Sequence, residues 1–251
     1  MVEALQNAGT VAPLAADAAG KRVLALIRHG SYHQPFDVPS AHLPYALTDQ
    51  GRDQAKAAAR AVADYARRNS LEIDLSVDCS RLRRAWETAS VIASELSFVF
   101  GRVFSTCEFD ALSERSLGAA ANLSVAAIEA VLRDDPRFGP PPPEWKRSGD
   151  YRLPLPGAET LLEAGSRVAK HIRRRATDLG ASQLKLLVGH GGAFRHAAQH
   201  LGLLDPTRVA SLSMFHCTPL YFEIQPLPGE PCRLIHLDGA WKKRSEDAPW
   251  D

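Results

Sequence analysis

Short hydrophobic runs alternate along this chain with longer stretches in which apolar residues recur every three or four positions. Runs bounded by polar or turn residues predict buried strands, and the helical spacing predicts amphipathic helices. The predicted strands are 23–27, 73–77, 102–106, 184–188, 220–224 and 233–237. The predicted helices are 48–69, 81–96, 123–132, 160–177 and 194–203. Strands that alternate with helices favour an α/β fold in which helices cover both faces of a mainly parallel sheet.

Within the predicted helix 81–96, one face carries the larger apolar side chains. We expect this face to point inward. Its members are Leu82, Ala85, Trp86, Ala89 and Ile92.

The 251 residues fit a single α/β domain. We interpret residues 1–20, which are rich in alanine and lack a basic n-region, as an N-terminal tail and not a signal peptide. Residues 21–251 form the predicted catalytic domain. A Pro-rich stretch at about 134–157, with Pro140–Pro143 inside it, cannot continue a helix or central strand. We interpret it as an insertion near the edge of the sheet at which a ligand would bind. A polyproline ligand for a partner domain is the alternative for this stretch.

Charge and cysteine content narrow the class of protein. Thirty basic and 29 acidic residues give a formal charge of +1, so there is no overall field that would attract nucleic acid or an anionic membrane. The four cysteines are widely spaced and form no C-x-x-C pair, which argues against a zinc ribbon or a disulfide framework and favours the cytoplasm. No segment is long and apolar enough to span a bilayer.

Two histidines flanked by glycine end two of the hydrophobic runs. Arg28, His29 and Gly30 close the run 23–27, and Gly189–Gly192, which contains His190, closes the run 184–188. The carboxyl ends of parallel strands lie along one edge of a sheet, where ligand crevices form, so we expect both histidines in one site. Arginine offers a planar fork of donors and glycine lets backbone N–H groups approach closely, so the pattern predicts a pocket for an oxyanion.

Phosphoryl transfer is the chemistry that these residues favour. A neutral imidazole can attack phosphorus, and nearby arginines should lower its pKa, so His29 is the candidate nucleophile. Arg28, Arg84 and a protonated or donor-tautomer His190 would surround the transferred oxygens. Glu114, after another predicted strand, is the candidate proton donor if its surroundings raise its pKa. Gly191, Ser31 and Tyr32 adjoin the two histidines and are further candidates for phosphate or substrate binding.

Each residue alone also has a structural interpretation. A single histidine at a strand end is more often structural than functional, and one or two of Arg81, Arg83 and Arg84 are expected to be solvated. His196 and His200, spaced i and i+4, could bind a metal, but no third ligand is evident, and no metal site is predicted.

The sequence resembles the histidine phosphatase superfamily, also called phosphoglycerate-mutase-like, from about residue 23 to residue 237. Six motifs in order carry the resemblance: Ile27–Gly30, Leu47–Ala55, Ser80–Ala89, Leu112–Glu114 with Gly118, Pro156–Thr160 and Val188–Gly192. It implies a three-layer α/β/α sandwich with a mixed sheet, and a phosphohistidine intermediate on His29. It also implies Arg28, Arg84 and His190 around the phosphate, Glu114 as proton donor, and no metal or organic cofactor.

The loop after His29 differs from that of cofactor-dependent phosphoglycerate mutases, which carry Ser, Trp and Asn there. Pro35 stands where we place that Asn, and proline has no side-chain amide. Tyr32 and His33 are more similar to protein Ser/Thr phosphatases, while Arg152–Pro154 is more similar to fructose-2,6-bisphosphatases. We therefore expect a phosphatase acting on phosphomonoesters. The alternatives are mutase-type transfer, a protein Ser/Thr phosphatase and a non-catalytic phospho-ligand module.

The predicted substrate is thus a small phosphorylated metabolite or a phosphoprotein, and nucleic acid and membranes are not expected partners. The sequence leaves the oligomeric state open, a homodimer included. Specificity should depend on the loop 31–45 and the stretch 134–157.

Overall fold

A computed structural model describes residues 20–35, 37–38, 42–227 and 230–244. The predicted N-terminal tail lies outside these residues except for Gly20. The strands are β1 Val23–Arg28, β2 Glu72–Ile73, β3 Ser76–Ser80, β4 Ser105–Phe109, β5 Gln183–Gly189, β6 Leu212–Ser213, β7 Leu220–Leu227, β8 Glu230–Asp238 and β9 Lys242–Lys243. The helices are α1 Asp49–Arg68, α2 Arg83–Phe100, α3 Val125–Asp134, α4 Leu161–Asp178, α5 Gly191–His200 and α6 Pro206–Val209.

The main sheet has the strand order β4-β3-β5-β1-β7-β8, with the short β2 also paired to β5. Strands β4, β3, β5 and β1 run parallel, and β7 and β8 add an antiparallel side. A separate two-stranded sheet joins β6 to β9. This is the mixed, mainly parallel sheet that the sequence predicted.

Alternate residues of β1 face two different layers of helices. Val23, Ala25 and Ile27 pack in one cluster with buried residues of α1 and α2. Leu24 and Leu26 pack on the other face with residues of α4 and α5. Because β1 is buried on both faces, it is apolar throughout, as central parallel strands are. The three-layer α/β/α arrangement is confirmed.

Helix boundaries follow their capping residues. Thr48 caps α1 by accepting a hydrogen bond from Gly51 N at 3.0 Å, and Asn69 ends the helix. Thr160 and Glu163 form a reciprocal capping box at the start of α4. Both boundaries agree with the predicted helices to within one residue.

Other elements are displaced from their predicted positions. The strand predicted at 73–77 is interrupted at Asp74 and Leu75, and its main part is β3 at 76–80. The strand predicted at 102–106 is β4 at 105–109, and α5 begins three residues before the predicted Phe194. Trp86 was wrongly placed on the inner face of α2, since it is 41% exposed while Ala85, Ala89 and Ile92 are buried.

The Pro-rich stretch between α3 and α4 forms no helix or strand among its described residues. It nevertheless has its own hydrophobic cluster, in which Trp145 and Leu153 pack with Leu117, Ile128 and Leu132. Trp145 Nε1 also donates to Glu129 Oε1 at 3.1 Å. In the part of the chain that the structure describes, no helix has the length and apolar character needed to cross a membrane.

Candidate active site

The loop after β1 is held between two other parts of the chain. His29 N donates to Gly189 O at 3.0 Å, which joins the loop to the end of β5. On the other side, Cys217 N donates to Arg28 O at 2.9 Å. Arg28 Nη1 donates to Met214 O at 2.8 Å, so its guanidinium is fixed by the segment that precedes β7.

The His29 ring is 3% exposed and its hydrogen bonds define one tautomer. Nδ1 lies 2.9 Å from Gly30 O, and because a carbonyl oxygen only accepts, Nδ1 carries the proton. Nε2 accepts a hydrogen bond from Arg84 Nε at 3.1 Å, which requires a lone pair on that nitrogen. The imidazole thus has its nucleophilic nitrogen directed toward a cation.

Arg84 lies in the first turn of α2 and is completely buried. Its Nη1 donates to Leu43 O at 3.4 Å, and its guanidinium carbon lies 4.8 Å from the centre of the Tyr32 ring. Arg81 and Arg83 are exposed, as expected for part of this cluster. Arg84 is therefore the arginine of the cluster that reaches the site.

His190 follows β5 and is the N-cap residue of α5. Its ring centre lies 5.1 Å from that of His29, so the two histidines that are far apart in sequence meet as predicted. Its Nε2 is 2.9 Å from Ser80 Oγ, and its buried Nδ1 has no hydrogen-bond partner among the described residues. That nitrogen is left available to a ligand.

Burial dominates the electrostatics of both imidazoles. It lowers the pKa of His29 and of His190 well below the ordinary value for histidine, and the Arg84 guanidinium is the next cause for each. Both rings are therefore neutral near pH 7. Of the two states considered for His190, the donor tautomer fits and the protonated form does not.

Glu114 joins the site at the N-terminus of α5. Its Oε2 accepts from Gly192 N at 3.1 Å and its Oε1 accepts from Arg115 N at 2.9 Å. A Cβ at position 192 would lie 2.8 Å from Glu114 Oε1, so only glycine permits this close approach.

The three remaining predicted residues line or support the same pocket. The rings of Tyr32 and His29 lie nearly perpendicular to each other, with 5.3 Å between ring centres. Gly191 lies against the Arg28 side chain, which a Cβ there would approach to 3.3 Å. Ser31 connects the loop to α1 through its backbone, donating to Gln54 Oε1 at 2.8 Å and accepting from Thr48 N at 3.0 Å.

His216 is a residue of the site that the sequence did not indicate. Its Nδ1 donates to His29 O at 2.6 Å, and its ring centre lies 5.4 Å from that of His29. Burial, with a smaller effect of Arg28, lowers the pKa of His216 to about 3. Since His216 lies before an antiparallel strand, the rule about carboxyl ends of parallel strands could not find it.

The histidines considered as metal ligands have backbone partners instead. His196 Nδ1 is 2.8 Å from Gly192 O, and His200 Nε2 is 2.8 Å from Leu162 O. Across the described ranges, no group of three His, Cys, Asp or Glu side chains could hold a metal ion.

Comparison with known proteins identifies the family. The model of the histidine phosphatase superfamily (branch 1) matches residues 24–226. The chain belongs to this superfamily. The expected resemblance is thereby confirmed, including the phosphoglycerate-mutase-like fold.

Curated relatives of this chain are named as phosphoglycerate mutases. A 2,3-bisphosphoglycerate-dependent phosphoglycerate mutase of Rhizobium rhizogenes is 26% identical over 205 residues, covering 80% of this chain and 89% of the relative. A mutase of the same name from Nocardia farcinica is also 26% identical, covering 80% of this chain and 86% of the relative.

Solved structures of two phosphatases share the fold. The mycobacterial glucosyl-3-phosphoglycerate phosphatase has a TM-score of 0.63 and 21% identity, covering 86% of this chain and 97% of its own. The alpha-ribazole phosphatase of Shigella flexneri has a TM-score of 0.62 and 20% identity, covering 86% and 96%. At these identities the likeness concerns the fold alone.

Proposed function

We propose that this protein is a phosphatase that hydrolyses phosphomonoesters through a phosphohistidine intermediate on His29. The observation that carries the proposal is the state of the His29 ring. Its Nε2 bears a lone pair and lies 3.1 Å from Arg84 Nε. The whole His29 residue is only 3% exposed to solvent. A buried, neutral imidazole beside a fixed cation is suited to attack a phosphoryl group that the cation holds.

In the first step, the lone pair of His29 Nε2 forms a bond to phosphorus and the bond from phosphorus to the ester oxygen breaks. Glu114 gives its proton to the departing alkoxide. In the second step, water attacks the phosphohistidine, Glu114 takes the proton of that water, and the bond between phosphorus and Nε2 breaks to release phosphate. Arg84 must exchange His29 Nε2 for a phosphoryl oxygen as substrate enters.

The other residues would bind the phosphoryl oxygens. The buried Nδ1 of His190 can donate to one oxygen, while Ser80 occupies its Nε2. Arg28 brings a second guanidinium, held by Met214 O. Gly191 lets α5 begin directly beside Arg28, and Ser31 and Tyr32 shape the loop on the other side. These donors are in place before charge develops, which is the main requirement of phosphoryl transfer.

Mutase-type transfer is a second candidate because the curated relatives named above are phosphoglycerate mutases. The two activities share the phosphohistidine and differ in the acceptor of the second step, which is water for a phosphatase and a hydroxyl of phosphoglycerate for a mutase. Pro35, which lacks the side-chain amide expected of a mutase at this position, supports hydrolysis.

A rapid-quench experiment tests the proposal. The protein is mixed with radiolabelled p-nitrophenyl phosphate, and acid-labile label on the protein is measured on the time scale of one turnover. We expect an adduct in the wild type and none in His29→Ala, with the turnover of His29→Ala reduced at least about 1,000-fold. His236→Ala, at an exposed histidine of β8, is the control and should retain both adduct and turnover.

Turnover without any adduct on His29 would overturn the proposal. Isomerisation of phosphoglycerate that depends on a bisphosphorylated primer and outpaces phosphate release would favour the mutase instead. Activity confined to phosphopeptides in a substrate panel would favour a protein phosphatase, and an absence of turnover on every monoester would favour a phospho-ligand module. We expect the enzyme in the cytoplasm, with a phosphorylated small molecule as substrate, since the described cysteines are free.

A further inference from the structure

A buried arginine without a full set of partners lies on α5, outside the residues assigned to phosphoryl transfer. Arg195 is 5% exposed, and its Nη1 donates to Leu212 O at 2.8 Å. Its Nε is buried and has no hydrogen-bond partner among the described residues. Buried polar groups are almost always hydrogen-bonded, so an arginine with an unused donor in this position points to a ligand.

Arg195 lies beside the phosphoryl pocket. Its anchor, Leu212 O, and the anchor of Arg28, Met214 O, are two residues apart, which limits their separation to about 7 Å. Arg195 also lies one helical turn after Gly192, which donates to Glu114. Because Glu114 is the proposed donor to the departing oxygen, Arg195 is on the side of the pocket where the leaving group would lie.

Two further cations reach the same region from the far end of the chain. Strand β9 pairs with β6 so that Lys242 is opposite Ser213, and Arg244 N donates to Ser211 O at 2.9 Å. Lys242 and Arg244, which lies one residue beyond β9, are half-buried while Lys243 between them is exposed, so Lys242 and Arg244 share one face and Lys243 lies on the other. Arg244 Nη1 is buried and, like Arg195 Nε, has no hydrogen-bond partner within the described ranges.

The region has more positive than negative charge. Burial lowers the pKa of both Arg244 and Lys242. Repulsion from Arg147 and then from Arg28 lowers the pKa of Arg244 further, and repulsion from Arg28 and Arg244 does the same for Lys242. Burial also lowers the pKa of Arg195, and attraction to Glu114 partly offsets this. Attraction to Glu144 partly offsets the lowering of the Arg244 pKa. A group of like charges that is held together in this way is stabilised when an anion binds between them.

We propose that Arg195, Lys242 and Arg244 form a second anion subsite, and that the substrate is a phosphomonoester whose leaving group carries a further carboxylate or phosphate. The inference rests on the proposed function, because it takes the orientation of the leaving group from the role of Glu114. A neutral leaving group would leave the buried donors of Arg195 and Arg244 unsatisfied.

Matched substrates test the subsite. 3-Phosphoglycerate and glycerol 3-phosphate differ in a carboxylate that replaces a hydroxymethyl group, and fructose 1,6-bisphosphate and fructose 6-phosphate differ in a second phosphate. We expect kcat/KM to be at least about tenfold higher for the substrate with the extra anion in one pair, and the pair with the larger preference identifies the group as carboxylate or phosphate.

Arg244→Gln is the informative variant because Arg244 is only partly buried, whereas Arg195 is buried and its replacement would destabilise the fold. We expect the preference to fall about tenfold in Arg244→Gln. Lys243→Gln removes one positive charge from the opposite face of the same strand and should keep the preference. A wild type without preference, or an Arg244→Gln variant in which kcat/KM falls equally for both members of the pair, would overturn the inference.

Binding of phosphonates separates this inference from the proposed function. Calorimetry should give tighter binding of phosphonoacetate, or of methylenebisphosphonate, than of methylphosphonate to the wild type, and the difference should shrink in Arg244→Gln. Equal binding would exclude the subsite even if a phosphohistidine forms. A preference for the dianionic probes that depends on Arg244 would support the subsite even if no phosphohistidine is found.

Discussion

Gly51 offers a direct test of how closely α1 must approach the loop that carries His29. It lies in the first turn of α1, and a Cβ added there would be 1.9 Å from Ser31 O. Across the same contact, a Cβ at Gly30 would be 2.6 Å from Gly51 O. The two glycines therefore allow two backbones to touch one residue away from the proposed nucleophile.

The cost of Gly51→Ala follows from these distances. A real Cβ essentially never lies under 3.0 Å from such an atom, so the helix and the loop must separate by at least 1.1 Å. Overpacking of this kind costs about 1–3 kcal/mol, while the better helix propensity of alanine returns about 1 kcal/mol. Because backbone lies on both sides of the contact, we expect a net loss of about 1–2 kcal/mol. A displacement of about 1 Å at a catalytic group reduces activity about 100-fold.

Urea denaturation and kcat/KM for p-nitrophenyl phosphate measure the two effects. Gly139→Ala is the control, since a Cβ at position 139 meets nothing within 4 Å and the residue has no left-handed φ. We expect this control to keep full activity and a stability equal to or slightly above that of the wild type. A Gly51→Ala protein as stable and as active as the control would refute the contact between α1 and the loop.

Two other predictions concern stability. Burial is the largest cause that lowers the pKa of His216 to about 3 and that of His196 to about 4. Below about pH 6.5 the unfolded chain therefore takes up protons at these histidines while the folded chain does not. Each residue should reduce the free energy of unfolding by about 2 kcal/mol between pH 7 and pH 5. Denaturation curves at the two pH values would contradict this if stability stayed level or rose as pH fell. Asp78 is fully buried and interacts with His171, Arg175 and Lys185 at 2.8, 2.7 and 2.8 Å, so Asp78→Asn leaves buried positive charge without its partner and should cost about 3–5 kcal/mol. Asp53→Asn, at an exposed aspartate on α1, is its control, and equal midpoints for the two variants would show that the buried carboxylate is dispensable.

The parallel half of the sheet and the residues at its edge were predictable from the sequence. His29 and His190 each follow a continuous apolar run, and such runs read reliably as central strands because both of their faces are buried. The rule that carboxyl ends of parallel strands share one edge then predicts that the two rings lie close together, and in the structure their centres are 5.1 Å apart.

Residues supplied by the antiparallel side could not be found in this way. Strand β7 runs against β1, so its amino end lies at the same edge, and His216 and Met214 come before the strand instead of after it. An apolar run does not indicate whether its strand runs parallel or antiparallel to the neighbouring strand. The cations of β9 were missed for a related reason, since a two-residue strand leaves no periodic signal.

Local displacements have simple physical causes. Asp74 accepts from Ser76 N and interrupts the apolar stretch with a turn, which moves β3 toward Ser80. Trp86 occupies a position of helical periodicity but is turned toward solvent at the start of α2, while the charged Arg84 and the small Ala85 of the same turn are buried. Burial of the charged Arg84 thus reversed what hydrophobicity alone predicted for this turn.

Arg28 is hydrogen-bonded to Met214 and Cys217, which come late in the chain, and this determines when the proposed site is complete during synthesis. A growing chain that has just passed β5 already contains His29, Arg84, Glu114 and His190, yet its first guanidinium lacks the anchor that orients it. In the proposed mechanism, phosphoryl transfer therefore awaits the docking of a late segment onto the first strand. Products of premature termination before residue 214 would retain every proposed catalytic side chain but would lack this anchor together with β7 and β8, so we expect them to be inactive.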